Sequence, residues 1–167
     1  KEKPVVIAPN SSDNSLFKPD IDGSNIRAEH NWQGKTLILH FGAMGKANGL
    51  DFLIDVAKRI NDDHEIHIVL VGPGSEKERL KNKVADLRLK NIEVLDPITK
   101  SKLPQFVAAC DISTVIFADY PVLEHNSANK FFDSLAAGKP VLLNYSGWQR
   151  KDLEQYEAGL GTKQCDI

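Results

Sequence analysis

Short apolar runs and amphipathic segments alternate along most of this chain, and that alternation leaves few folds open. Residues 36–41, 66–71, 92–95, 112–117 and 141–144 are apolar runs of strand length, as expected of parallel strands covered on both faces. Between them lie helical patterns. In residues 50–61, Leu50, Leu53, Ile54, Ala57 and Ile60 recur at helical spacing. In residues 75–89, Leu80, Val84 and Leu87 form the stripe, and Ser75 with Glu78 reads as a capping box. Residues 103–110 predict a shorter helix, and residues 150–158 a last one stopped by Gly159. Residues 27–33 read as a short helix ahead of the first strand, and Val5 to Ala8 as a short β-type run. Strands that alternate with helices through short connections are joined by right-handed crossovers. The predicted fold is α/β, a Rossmann-like three-layer sandwich with a parallel sheet.

One further helix is marked at both ends. Asn126 or Ser127 can cap its start, because a side-chain oxygen there accepts from a free amide of the first turn. Gly138 can take the left-handed conformation that stops a helix, and Pro140 forbids its restart. Phe131, Phe132, Leu135 and Ala136 make its apolar stripe, and Asn129, Lys130 and Asp133 lie on other faces. The 141–144 strand follows at once. A polar helix start facing a strand end is where α/β folds bind phosphates.

Composition narrows the partners. With 41% hydrophobic and 26% charged residues the chain can build a core. A formal net charge of −2 gives no overall field for nucleic acid or acidic lipid. No stretch approaches the roughly 20 apolar residues of a membrane span. Cys110 and Cys165 are expected to be unpaired thiols in a reducing compartment. His30, His40, His64, His67 and His125 lack metal-ligand spacing, so no metal is expected. The first residue is not Met, and the expectation is a domain excised from a longer protein.

Ligands in such sheets collect at the carboxyl ends of the strands. Four loops qualify there: residues 42–49, 72–74, 96–100 and 119–129. Two are glycine-rich, which permits close backbone approach. Neither is a dinucleotide fingerprint or a P-loop, since Gly72-Pro73-Gly74 lacks a third glycine and Gly42 to Lys46 lacks the following Ser or Thr. Together the loops suit a nucleotide diphosphate.

The order of these pieces resembles a known family. Pro9-Asn10, Asp13 and Phe17-Lys18-Pro19 are similar to the leading segment of family 4 retaining glycosyltransferases. Gly42 to Leu50 resembles that family's first glycine loop, and Val71-Gly72-Pro73-Gly74 its V-G-x-G. Leu103-Pro104 with Ala109-Cys110-Asp111-Ile112, and Phe131 to Val141, resemble its later motifs. The resemblance covers nearly the whole chain and implies the donor-binding half of a GT-B fold. It divides the chain into an interdomain linker, residues 1–22, and a nucleotide-sugar-binding domain, residues 23–167. Gly45 to Leu50 and Asn129 to Asp133 further resemble transferases of N-acetylated amino sugars, such as N-acetyl-L-fucosamine, in bacterial surface polysaccharide synthesis.

That likeness implies roles. Asp133 would accept the ribose hydroxyls, and Ser127, Ala128 and Asn129 would offer amides to the diphosphate. Lys130 and Lys46 would supply charge. Gly42, Gly45 and Gly72 would let the loops approach the phosphates, and Pro97 and Ile98 would flank the base. Glu124 and His125 would touch the donor sugar or β-phosphate. The family's first carboxylate position falls on His125, with Glu124 one residue early, and Asp133 fills the second. Ala43 and Asn48 stand where the family usually has Arg and Lys. The implied partners are a UDP- or GDP-sugar, a glycan or polyprenyl-linked acceptor, and an N-terminal Rossmann domain of the same protein. The implied location is cytoplasmic, at the inner face of the plasma membrane. This stretch alone is expected to bind nucleotide weakly and turn nothing over. A sugar-nucleotide epimerase of the same architecture, or a non-catalytic α/β interaction module, stays open beside this reading.

Overall fold

The computed structural model describes residues 3–6 and 10–162. Six parallel strands form one sheet in the order β3-β2-β1-β4-β5-β6. They are β1 (Thr36–Phe41), β2 (Ile66–Val71), β3 (Ile92–Leu95), β4 (Ile112–Val115), β5 (Val141–Leu143) and β6 (Gly159–Gly161). The helices are α1 (Ser24–Glu29), α2 (Asp51–Arg59), α3 (Lys77–Asp86), α4 (Leu103–Ala109), α5 (Asn129–Ala136) and α6 (Trp148–Gln155). Among the described residues no helix is long and apolar enough to cross a membrane. Cys110 is buried, and burial pushes its thiol up to about 12. Cys165 lies outside the described residues, as do Ile7 and Ala8 of the predicted run, while Val5 and Val6 are exposed and outside any strand.

Both faces of the sheet are covered. Leu37, Leu39 and Phe41 of β1 pack with Val69, Val71, Trp32, Phe106 and Val107 on one side. Ile68 and Leu70 of β2 meet Leu53, Ile54, Ala57 and Leu80 of α2 and α3 on the other. Val115, Val141 and Leu143 hold Phe131 of α5 and Leu153 of α6. Each such side chain contributes about 1.5–3 kcal/mol by leaving water. This two-sided burial is why the strands read as continuous apolar runs.

Four elements differ from expectation. Helix α1 starts earlier than residue 27, because the Asp22 carboxylate takes the Ser24 amide at 2.8 Å and the Ser24 hydroxyl at 2.7 Å. Asn31, at φ 59°, then turns the chain so that Trp32 enters the core. Helix α3 has no Ser75 cap; Glu76 occupies that position without a side-chain cap, and its amide donates to the Met44 carbonyl at 2.9 Å. Leu87, expected in the α3 stripe, lies beyond its end and is 38% exposed. Gly159 does not merely stop a helix. It opens an edge strand opposite Val141, so close that an added Cβ would lie 2.0 Å from the Val141 carbonyl oxygen.

Strand β4 ends at Val115, but Ile116 and Phe117 stay buried. Buried Asn144 holds that extension: its Oδ1 accepts from the Phe117 amide at 2.9 Å, and its Nδ2 donates to the Phe117 carbonyl at 2.8 Å. Removing both bonds is expected to be costly. Asn144→Ala should lower stability by about 2–4 kcal/mol, read from urea unfolding midpoints. A loss within about 0.5 kcal/mol, the usual surface effect, would contradict this role.

Candidate functional site

Strands β2 and β3 continue to one side of β1, and β5 and β6 to the far side of β4. The winding direction therefore reverses between β1 and β4. In open α/β sheets, ligands bind outside the strand ends at such a reversal. Two loops meet there, the one after β1 that starts at Gly42 and the segment leading into α5.

Helix α5 keeps its first turn uncapped. Its N-cap is Ala128, with no side-chain cap, so neither Asn126 nor Ser127 plays the expected capping part. Asn126 instead closes a 3-10 turn, Pro121–His125, and continues in extended conformation. The Ser127 hydroxyl is buried and finds no partner among the described residues. The Ser127 carbonyl accepts from Asn10 Nδ2 at 2.5 Å. A helix offers its first amides no internal acceptor, and they carry partial positive charge. The other end behaves as predicted. Gly138, at φ 69°, donates to the Leu135 carbonyl while Lys139 donates to Ser134, both at 2.9 Å. The Ser134 hydroxyl, inside the apolar stripe, donates to the Lys130 carbonyl and receives Ser113 of β4, both at 2.6 Å.

Lys130 leaves this first turn towards the end of β1. Its Nζ lies 3.3 Å from His40 Nε2. The side chain passes over Gly42, where an added Cβ would be 3.5 Å from both Lys130 Cε and Nζ. Burial pulls the ammonium pKa down to about 8. Among the described residues no carboxylate forms an ion pair with it; the pairs found here involve other cations. His40 is fully buried, and its pKa is held well below the usual value by burial first and by Lys130 second. In the sequence His40 was only one of five histidines. Its signal was a polar residue inside an apolar run, which buried strands seldom tolerate without a partner.

Asp133, on the second turn, points elsewhere. It pairs with neither Lys130 nor Asn129; the Ser12 hydroxyl donates to its Oδ1 at 2.7 Å. Burial raises its carboxyl above the ordinary range, opposed by the Ser12 bond and by Lys100, with Asp13 adding to the rise. The loop after β3 and the leading segment thus converge on α5. In that loop Ile98 packs onto the core beneath, while Pro97 is exposed. Asn129 is exposed and Ala128 half-buried at the helix start.

Gly45 and Lys46 line a pocket of about 260 Å³ with Asp51, Glu76, Arg79 and Tyr120, on the α2 and α3 side. Lys46 is exposed there, and neither Lys130 nor Asp133 lines that pocket. The Gly45 amide donates to Asn48 Oδ1 at 3.1 Å, so Asn48 braces the loop. Gly72 packs closely on the first loop: an added Cβ would lie 1.9 Å from the Gly42 carbonyl oxygen. It is buried against the loop that carries the site. Glu124 and His125 are both exposed on the 3-10 turn and make no ion pair among the described residues. The Glu124 carbonyl sits where a side chain on Gly147 would clash, at 2.2 Å.

Residues 35–163 match the family model described as glycosyl transferases group 1. No curated protein matches the chain significantly. Solved structures are similar to it. Alr3699/HepE of Anabaena, in complex with UDP, superposes with a TM-score of 0.72 at 22% identity, covering 92% of this chain and 42% of that one. WaaG, a glycosyltransferase involved in lipopolysaccharide biosynthesis, gives 0.73 at 15% identity, covering 92% and 41%. The C-terminal domain of LpcC, a glycosyl transferase group 1 family protein of Francisella tularensis, gives 0.66 at 16%, covering 88% and 86%. The chain thus spans less than half the length of the Anabaena protein and most of the LpcC domain.

Proposed function

The chain belongs to the group 1 glycosyl transferases, with the fold of a GT-B C-terminal domain, and on that premise we propose that it is the domain that binds the UDP-sugar donor. The observation that carries this reading is Lys130. A buried ammonium with no carboxylate beside it, at the sheet's reversal and at an uncapped helix start, is a site completed by an anion. The donor's diphosphate supplies that anion. It takes Lys130, the amides of Ser127, Ala128 and Asn129, and the unpartnered Ser127 hydroxyl. The bare backbone of Gly42 lets the phosphates come close.

The nucleoside lies over the rest of α5. Asp133 accepts from the ribose hydroxyls, since a carboxylate can take a vicinal diol. Its Oδ1 already holds Ser12, so the ribose uses Oδ2 or displaces Ser12. Exposed Pro97 and the free edge of Ile98 flank the base. Glu124 and His125, ahead of α5, meet the sugar. Retaining transfer requires the nucleoside diphosphate to leave, and fixed amides with Lys130 stabilise the charge that develops on it. The acceptor, a glycan or lipid-linked glycan of a cell-surface polysaccharide, and any catalytic base belong to a second domain across the cleft. The UDP and UDP-glucose complexes of HepE support UDP, and the role given for WaaG, in lipopolysaccharide biosynthesis, supports an acceptor in surface polysaccharide synthesis.

Calorimetric titration with UDP, GDP and ADP tests this. UDP is expected to bind most tightly. Asp133→Ala should weaken it by about 10- to 100-fold, the range of one lost charge-assisted hydrogen bond. Failure of all three nucleotides to saturate the chain at millimolar concentration would favour a non-catalytic interaction module, or a site that needs its second domain to bind.

A further inference from the structure

We propose that His40 is a positioning residue for the donor diphosphate: its neutral imidazole accepts a hydrogen bond from the Lys130 ammonium and holds that charge over the end of β1. The inference rests on the donor-binding reading above, which it deepens by one residue outside the family motifs quoted there.

The geometry assigns the proton. An ammonium can only donate, and Lys130 Nζ lies 3.3 Å from His40 Nε2. Nε2 must then carry the lone pair and Nδ1 the proton. His40 is wholly buried, so the neutral ring is also the form its surroundings favour. Nδ1 makes no well-formed hydrogen bond among the described residues, and only a weaker interaction with the Ala43 backbone reaches the ring. Ala43 of the loop after β1 thus also lies against the imidazole. His40 is fixed by its strand, where it sits opposite Leu70 of β2. Lys130 is fixed by the first turn of α5. Their contact joins the two elements that flank the reversal point.

The consequence is a coupling between nucleotide binding and pH. The charged groups facing Lys130 are few. His40 faces it from β1; Gly42 faces it from the loop and has no charge; and on α5 itself Asp133 turns away to Ser12. No described carboxylate stands in for the diphosphate. The ammonium form binds the anion, so affinity falls as pH rises through about 8. Without the His40 acceptor the ammonium loses the one hydrogen bond it makes among the described residues. The fall should then begin at lower pH.

The test compares the wild-type chain with His40→Gln, whose Oε1 can replace Nε2, and His40→Phe, which cannot accept. The Lys130 side chain is followed by NMR in isotope-labelled protein without nucleotide, and UDP affinity is measured from pH 6 to 10. Wild type and His40→Gln are expected to titrate Lys130 near 8 and to share one affinity profile. His40→Phe is expected to shift both curves to lower pH and to weaken UDP roughly tenfold at pH 7.5, the effect of one hydrogen bond to a charge. Coincident Lys130 titrations in wild type, Gln and Phe variants would overturn the inference even if UDP binds. A wild-type Lys130 titrating as an exposed lysine would do the same, should His40→Phe not fold. A chain that binds no UDP, with Lys130 still coupled to His40, would instead count against the donor-binding reading alone.

Discussion

Replacing Lys130 with methionine is expected to stabilise the unliganded chain while removing nucleotide binding. The folded chain holds the Lys130 ammonium at about 8, against 10.5 for an ordinary lysine. Its pKa is thus lowered by folding, and the sign follows from proton counts. Between those two values the unfolded chain keeps a proton that the folded chain sheds, so wild-type stability rises with pH across that window. Below it, the folded state bears the cost of a buried charge. Methionine has a similar stem and no charge. At pH 7 the variant should gain about 2–3 kcal/mol, lessened by residual water access and by the donor lost to His40. The gain should vanish towards pH 10.5. Binding moves the other way. Truncating one partner of a buried charge pair costs about 2–5 kcal/mol, so UDP affinity should drop at least ~30-fold. Urea unfolding at pH 7 and 10 with calorimetry on the same samples reads both effects. A variant that is less stable without ligand, or that binds UDP like wild type, would sink the assignment of Lys130.

Gly72→Ala is expected to be the most damaging small substitution in the fold. Gly72 has φ 149°, where side chains are rarely tolerated, and the new Cβ would meet backbone at 1.9 Å. No flexible side chain can move aside there, because the obstacle is the carbonyl of Gly42. The strain and the forced shift together should cost about 3–5 kcal/mol. Gly34→Ala is the matched control. It also has a positive φ, 70°, but an added Cβ there meets nothing within 4 Å, so about 1–2 kcal/mol is expected. Equal thermal shifts for the two would mean that the packing of the β2 loop on the β1 loop does not matter. Because Gly42 carries the floor of the Lys130 site, any Gly72→Ala chain that still folds should also bind UDP more weakly.

These two positions show what a linear reading could and could not reach. The sequence by itself determined the architecture. Two-sided burial makes every central strand an apolar run, and helix periodicity falls between those runs, so five of the six strands and the order of layers were legible. It also determined the end of α5, since Gly138 followed by Pro140 leaves the chain no other continuation. The edge strand β6 was not legible, because Gly159-Leu160-Gly161 is held by backbone pairing to β5 and carries almost no side-chain pattern.

Within the site, only the tertiary structure decided the groupings. Lys130 and Asp133 are neighbours in sequence, yet one turns to His40, ninety residues earlier, and the other to Ser12, from the leading segment. Lys46 looked equivalent to Lys130 but lines a pocket that Lys130 does not reach. Ser75 looked like a cap, but Glu76 takes that place, its amide bound to a carbonyl of another loop. Periodicity reports which face of an element is buried, and local spacing reports which ends can close. Neither reports which polar group from another strand will stand opposite, because that depends on register and on the reversal between β1 and β4. A buried cation without a counter-ion is a property of such a meeting, and the folded chain alone brings it about.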